Sequence, residues 1–390
     1  MLWLTLLACT EESTQQRVEP TFVVVTTDAV LGSEESPIPF SDEPISQTFT
    51  VTTLDLNADP YPFTGDLLVK VRPGTLEMEP WISVVDGTWT GDITYSVPFG
   101  PSRVWFTDEG DKDASLGREP SWSTGVSEVF HYAFPTVSEM NNHDDPETNH
   151  LDGEFAELRI EDRNVVVTVV GTDGFWITDL DSLEDKALPT GGYASLFIYT
   201  FSKPESVVVG SQLLSLNGNN QEYLGTTQFS FPTYSVAEDT TLAVPPAISV
   251  GDETLCDEFA MEPLESSLVE VSGATIPADF TSGSEDYEDY IAYNQWPATI
   301  GDCTFYVDSS GSQAVFDPGA NPGATLSTIR GLVNQVWGKK IIIVTEPDDL
   351  QGDSIKDTKD SDETARSYAP SRPKPRHRDG SPANDTPHSH

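Results

Sequence analysis

Positively charged side chains are scarce in this chain. Only 20 of its 390 residues are Lys or Arg, against 64 Asp or Glu, and the formal net charge at pH 7 is −44. Proteins that bind nucleic acid without sequence preference neutralise phosphates with Lys and Arg, so we do not expect nucleic acid as a partner. The charge favours solubility and the accumulation of cations around the protein.

Recognisable catalytic motifs are missing as well. The sequence has no HExxH zinc motif, no GxSxG nucleophile elbow and no glycine-rich phosphate loop with its lysine. His131 lies in an apolar run, residues 129–134, so we interpret it as a core residue. We therefore predict a non-enzymatic protein that requires no cofactor, although a hydrolase site assembled from scattered carboxylates is compatible with the spacing.

Long hydrophobic runs are absent after the first nine residues, and no later segment has the roughly 18 apolar residues that a membrane-spanning helix needs. Residues 1–9 end in Leu6-Leu7-Ala8-Cys9, which resembles a bacterial lipobox. The resemblance implies a lipoprotein signal peptide over residues 1–9, lipidation of Cys9 and a tether over residues 10–20. Thr10, in place of Asp, implies sorting to the outer membrane.

The basic segment that precedes the apolar core of an ordinary signal peptide is missing from this N-terminus. Two explanations fit the lipoprotein interpretation: the start codon lies upstream, or the signal is unusually short. A buried N-terminal strand that contains an incidental cysteine is the alternative.

Cysteine is rare too, with three in the chain. Cys256 and Cys303 form an even pair, so in an oxidising compartment we predict a disulfide between them. Two separately buried thiols are the alternative. Neither cysteine has a CxxC partner or a nearby histidine, which argues against a zinc site.

Short runs of β-branched and aromatic residues alternate with turn residues along most of the chain, and helical periodicity is almost absent. We therefore predict an all-β protein. Residues 21–135 are assigned to a β-sandwich with a tight hairpin turn at Asp86-Gly87, and their strand pattern resembles immunoglobulin-like bacterial sandwiches. Residues 136–150 are assigned to an acidic linker.

Two further segments, residues 151–255 and residues 256–350, each have the strand pattern of a small barrel. The first includes residues 164–179, where a Gly-Phe-Trp turn joins two apolar strands. This pattern is similar to the OB-fold domains that accompany extracellular bacterial nucleases. The resemblance implies two OB-like barrels and, as an alternative function, nucleic-acid binding or a nuclease-accessory role. No nuclease domain follows, and residues 351–390 are predicted to be a disordered tail.

Four aromatic residues of the first barrel form the predicted ligand face, because rings on the face of an OB barrel stack on bases or sugars. They are Phe175, Trp176, Phe197 and Tyr199. Core packing is the alternative for at least half of them.

Carboxylates and histidines gather at two places with the ligand types that divalent cations use. These groups are Asp108, Asp111 and Asp113, and then His143, Asp144, Asp145 and His150. The first group fails the EF-hand pattern because Leu116 and Trp122 stand where Gly and Glu are required, so only a looser calcium site fits. A solvated linker is the alternative for the second group. A third acidic segment, residues 285–290, is interpreted as a solvated loop.

Together these features predict a lipoprotein of a bacterial outer membrane or cell surface. It contacts the membrane through its lipid and binds or scaffolds an unknown protein or glycan. A nucleic-acid role, as the OB resemblance implies, is the competing hypothesis. A calcium-stabilised adhesin is the third hypothesis, and calcium is its one candidate cofactor.

Overall fold

The computed structural model describes the central part of the chain. The described residues are 22–110, 112–113, 120, 123–143, 145, 148–310, 316–336 and 338–352. The predicted signal peptide, lipidation site Cys9 and tether lie outside them, as do Asp111, Asp144 and all but the first two residues of the predicted tail.

The protein is all-β, as predicted: 46% of it is strand and 10% is helix. The strands are β1 (Phe22–Thr27), β2 (Ile45–Leu54), β3 (Gly65–Arg72), β4 (Thr75–Leu76), β5 (Trp81–Val84), β6 (Thr88–Ser96), β7 (Pro101–Thr107), β8 (Thr124–Val126), β9 (Phe130–His131), β10 (Phe155–Glu157), β11 (Val165–Val170), β12 (Gly174–Asp179), β13 (Ser195–Tyr199), β14 (Ser211–Tyr223), β15 (Thr226–Thr241), β16 (Ile248–Ser249), β17 (Leu268–Val271), β18 (Ala274–Thr275), β19 (Gln295–Ile300), β20 (Cys303–Asp308), β21 (Thr325–Leu326), β22 (Thr328–Val336), β23 (Lys339–Ile343) and β24 (Leu350–Gln351).

The helices are short. They are α1 (Leu180–Leu183), α2 (Asp252–Leu255), α3 (Glu258–Met261), α4 (Glu285–Tyr293) and single 3₁₀ turns at Glu262–Leu264, Pro318–Ala320 and Pro347–Asp349. The interpretation of residues 285–290 as a loop is wrong, because they form most of α4. Ser284 caps this helix through a hydrogen bond from the backbone N–H of Tyr287, and the acidic first turn complements the helix dipole. Within the described residues, no helix combines the length and apolar character needed to cross a membrane.

The chain divides into two compact units. Among the described residues, unit 1 contains those up to Val165 together with Ser211–Glu222 and Phe229–Thr241. Unit 2 contains Val166–Gly210, Tyr223–Gln228 and the described residues from Leu242 onward. The segment predicted to be an acidic linker belongs to unit 1, where Val137 and Met140 are buried.

Unit 1 contains the predicted sandwich. One sheet has the order β1-β2-β6-β4, and the other has the order β5-β3-β7-β8 with β9 paired to β7. The inward residues of both sheets share one core, in which the rings of Phe49 (β2) and Phe106 (β7) have centroids 6.0 Å apart. The predicted hairpin turn is confirmed: Asp86 and Gly87 have φ angles of 49° and 81° between the bridged residues Val85 and Thr88. Two positive φ angles are what a type I′ turn requires.

Unit 2 contains a barrel built from β17 to β23. β17 pairs with β22, while β18 pairs with both β19 and β21. β20 pairs with β19 on one side and runs parallel to β23 on the other, and β23 returns to β22. Since β17–β18 and β21–β22 are each one interrupted strand, five strands surround the core in a Greek-key order, as in an OB fold.

The predicted first barrel has the same strand order. Its sheet runs β10-β14-β11-β12-β13-β15, and β14 also pairs with β15. Five of these strands form a closed barrel. Closure leaves no unpaired edge among these five strands.

The predicted disulfide is present in unit 2. It joins Cys256, the C-cap of α2, to Cys303, the first residue of β20, with Cα atoms 5.5 Å apart. The short helical segment before the second barrel is thereby fixed to the barrel wall.

Candidate functional site

Four aromatic rings of unit 2 form a continuous row that we call the aromatic ladder: Trp176, Phe197, Tyr199 and Phe201. Trp176 in β12 is paired directly with Phe197 in β13, and their stacked rings have centroids 4.5 Å apart. Phe197 and Tyr199 are two residues apart in β13 and point to the same face, and Phe201, just after the end of β13, extends the row. Centroid distances of 6.1 Å and 4.3 Å connect them in turn.

Glycines in the hairpin before the ladder allow this close packing. A Cβ atom at Gly174 would meet the carbonyl oxygen of Ile198 and, at 2.7 Å, the ring of Phe197. A Cβ atom at Gly171 would lie 3.0 Å from the indole of Trp176. The Gly-Phe-Trp pattern therefore brings two backbones together and leaves room for the rings.

The two ends of the ladder differ in solvent exposure. Trp176 is 8% exposed, and it packs in a small cluster with Leu268 and Leu332 of the second barrel. Tyr199 is also buried, whereas Phe201 at the other end is 51% exposed. One end of the ladder is thus part of a packed core, and the other faces solvent.

Three of the four predicted ligand residues meet in this ladder. The fourth, Phe175, is fully buried and comes between Gly174 and Trp176 in β12, so its side chain lies on the opposite face of the strand. Phe201 was not part of the prediction. It continues the i, i+2 spacing of Phe197 and Tyr199, and that spacing is the sequence signal that identifies it.

Hydroxyl groups continue the same face beyond the buried end of the ladder. Thr178 and Ser195 have hydroxyl oxygens 2.7 Å apart, and Ser267 donates a hydrogen bond to Ser195 at 3.0 Å. These residues line a cavity of about 10 Å³, which is about the space that one water molecule requires. This cavity is too small for a ligand much larger than water.

Described residues of the two predicted metal groups make polar contacts with other protein groups. The buried Asp108 carboxylate accepts a hydrogen bond from the backbone N–H of Gly110, and the same loop includes Asp113. Nε2 of His143 lies 3.0 Å from the carbonyl oxygen of Ser138, and Nε2 of His150 lies 3.8 Å from a carboxylate oxygen of Asp42.

Asp145 lies in a turn in which its backbone N–H donates to the side chain of Asn142. Asp111 and Asp144 lie outside the described residues. In the part of the chain that the structure describes, no three His, Cys, Asp or Glu side chains are grouped to hold a metal ion. Calcium binding by either group stays a prediction.

Two exposed phenylalanines of unit 1, Phe155 and Phe231, are not among the predicted site residues. A different signal identifies their neighbourhood: Glu222 is the only charged residue in residues 206–237, whereas 22% of the chain is charged.

No protein-family model and no curated protein matches the sequence. Comparison with known proteins therefore assigns no role to these surfaces.

Proposed function

We propose that this chain is a non-enzymatic binding protein, held at the outer surface of a bacterium by a lipid on Cys9, whose ligand contacts the exposed end of the aromatic ladder. The observation that carries the proposal is the contrast between the two ends of the ladder, the buried Trp176 and the half-exposed Phe201. Phe201 packs against Tyr199 before any ligand arrives. A supported ring loses little conformational freedom on binding, which favours affinity.

The net charge limits the ligand that the ladder accepts. A body with −44 charges repels polyanions at long range. The proposed ligand is therefore an uncharged or cationic group on a protein or glycan.

One observation favours nucleic acid as a second candidate. The ladder lies on the second and third strands of an OB-like barrel, the face on which such barrels bind oligonucleotides and oligosaccharides. Stacking on successive rings contributes about 1–3 kcal/mol per base in proteins that bind single strands. Such stacking is normally accompanied by a groove lined with Lys and Arg. Because only 20 residues are Lys or Arg, against 64 Asp or Glu, we rank this candidate second.

The anchor is tested by growing cells that express the full chain with labelled palmitate. We expect label on the wild type and none on Cys9→Ser, with both chains found at equal abundance. An unlabelled wild-type chain would refute the anchored part of the proposal.

The ligand is tested by anisotropy of a labelled single-stranded oligonucleotide titrated with the purified full chain at low salt. We expect no saturable binding. Saturable binding that Phe201→Ala weakens, and that Phe259→Ala leaves unchanged, would replace the proposal with the nucleic-acid candidate. Phe259 is a suitable control because it is an exposed phenylalanine of the same unit outside the ladder.

A further inference from the structure

Unit 1 exposes two large rings on one sheet. Phe231 is 71% exposed and Phe155 is 63% exposed, and no aromatic side chain among the described residues is more exposed than Phe231. Phe231 also has a left-handed backbone with φ of 51°, a conformation that bulky residues seldom adopt. Strained residues of this kind cluster at binding sites.

The two rings lie on either side of β14. Phe155 in β10 is paired with Asn219. On the other side, the hydroxyl oxygens of Ser215 and Ser235 are 2.7 Å apart, so these residues are opposite each other. Counting along both antiparallel strands brings Asn219 opposite Phe231. Neighbouring strands are about 4.8 Å apart, so the two phenylalanines flank Asn219 at a separation on the order of 10 Å.

Both rings belong to the outward face. In β14, Gly218 and Asn220 are buried on either side of Asn219, and in β10 the buried residue is Ala156 next to Phe155. Directly opposite residues of paired strands share a face. Phe155, Asn219 and Phe231 therefore form a row across three strands, away from the core.

Most side chains around this row are polar but uncharged. They are Ser215, Asn217, Gln221, Thr233 and Ser235. Residues 211–221 and 229–237 contain no charged residue, in a chain where 22% of residues are charged. Carboxylates lie at the margins of the face: Glu157 of β10, which is paired with Asn217, and Glu238 and Asp239 near the end of β15.

We infer that this outward face of β10, β14 and β15, the phenylalanine face, binds an uncharged polysaccharide. The apolar faces of sugar rings pack on Phe155 and Phe231, and the hydroxyls between them exchange hydrogen bonds with the amides of Asn217 and Asn219. Amides and hydroxyls both donate and accept, as sugar hydroxyls do. The separation of the rings fits two non-adjacent sugars of one chain.

The lack of positive charge on the phenylalanine face favours this ligand over anionic ones. An anionic glycan would find no counter-charge there and would be repelled by the surrounding acidic surface. A protein partner of ordinary size needs about 800 Å² per side with an apolar core, whereas here two rings are separated by amides. The inference rests on the proposed function only in taking the chain to be a binding protein, because this face belongs to unit 1 and the ladder to unit 2.

The test is affinity electrophoresis of the full chain in native gels that contain amylose, dextran, galactomannan or laminarin, with polygalacturonate as the anionic comparison. We expect retardation in at least one uncharged gel and none in polygalacturonate. The double variant Phe155→Ala/Phe231→Ala should weaken binding at least tenfold, and each single variant less. Phe259→Ala is the matched control, since Phe259 is as exposed as Phe155, and its binding should equal that of the wild type.

Asn219→Asp keeps both rings and adds a charge between them, so it tests the face without truncating a side chain. It should also weaken retardation, with an unchanged thermal midpoint. Absence of retardation in all four uncharged gels, or retardation that the double variant and Asn219→Asp retain, would overturn the inference. Retardation that only Phe201→Ala abolishes would assign the glycan to the aromatic ladder, which overturns the phenylalanine face but supports the proposed function.

Discussion

The indole of Trp176 and the phenyl ring of Phe197 are stacked, with centroids 4.5 Å apart and planes inclined by 26°. Trp176 also packs in a cluster with Leu268 and Leu332, so the indole connects the ladder to the second barrel. A ring in this position contributes to folding, whereas Phe201 at the other end is half-exposed.

Substitutions at the two ends of the ladder should therefore have different effects. Truncation of a buried aromatic residue costs about 3–5 kcal/mol, so Trp176→Ala should lower the free energy of unfolding by about that amount. Phe201→Ala should change it by less than about 1 kcal/mol and affect ligand binding instead. Urea unfolding of both variants measures the difference. Equal destabilisation by the two would contradict the division of roles along the ladder.

The sequence was sufficient to predict the strands and the Asp86-Gly87 turn, because both depend on local patterns of residue types. The Cys256–Cys303 disulfide was predictable because these are the only two cysteines after Cys9. The sequence was not sufficient to separate the packed end of the ladder from the exposed end. Trp176 is covered by Leu268 and Leu332, which lie on strands far later in the chain. No local pattern encodes which distant strands lie against an aromatic residue.

Helix α4 was missed for a related reason. Its apolar residues, Tyr287 and Tyr290, pack with Phe280 but are embedded among carboxylates that conceal the helical period. The N-cap Ser284 followed by Glu285 and Asp286 is the signature that identifies the helix start.

The phenylalanine face was missed because its sequence has no motif. Its only signal is that residues 211–221 and 229–237 contain no charged residue.

Reduction of the disulfide should destabilise unit 2. The bond closes a loop with a sequence separation of 47 residues, and the chain-entropy model gives about 4 kcal/mol for a loop of that length. We expect a reductant to lower the thermal midpoint of the wild-type chain. The double variant Cys256→Ala/Cys303→Ala should start from the lower midpoint and not respond to the reductant. A wild-type midpoint that reductant does not move would show that the bond adds no stability.

A buried ion pair between Lys340 of β23 and Glu262 offers a second test of unit 2. Both side chains are largely inaccessible to solvent, and their charged atoms are in contact. Burial and the charge of Glu262 also raise the pKa of Tyr193. Removing one partner leaves an uncompensated buried charge, which costs about 3–5 kcal/mol.

Lys340→Met should therefore be strongly destabilising in urea unfolding. The double variant Glu262→Leu/Lys340→Met removes both charges and should recover to within about 1–2 kcal/mol of the wild type. If the double variant were as unstable as Lys340→Met, packing around Glu262 rather than its charge would determine the cost.

The core of the sandwich should lose stability in alkali. Tyr95 and Tyr132 are buried with hydroxyl oxygens 2.9 Å apart, and Tyr95 donates a hydrogen bond to Gln47 at 2.8 Å. Burial raises the pKa of both tyrosines above the ordinary value near 10, and for Tyr95 the hydrogen bond with Tyr132 adds to the increase. Unfolded tyrosines ionise near pH 10, while these two keep their protons.

Above about pH 10, the unfolded chain therefore binds fewer protons than the folded chain, so the free energy of unfolding falls as pH rises. Below pH 10 the contribution is fully present. The loss is about 1.4 kcal/mol per pH unit for each tyrosine, and urea unfolding at pH 9, 10 and 11 measures it. Tyr132→Phe should reduce the slope, and Tyr95→Phe/Tyr132→Phe should reduce it further, because phenylalanine does not ionise. A slope that is the same in the wild type and the double variant would show that other groups control the alkaline transition.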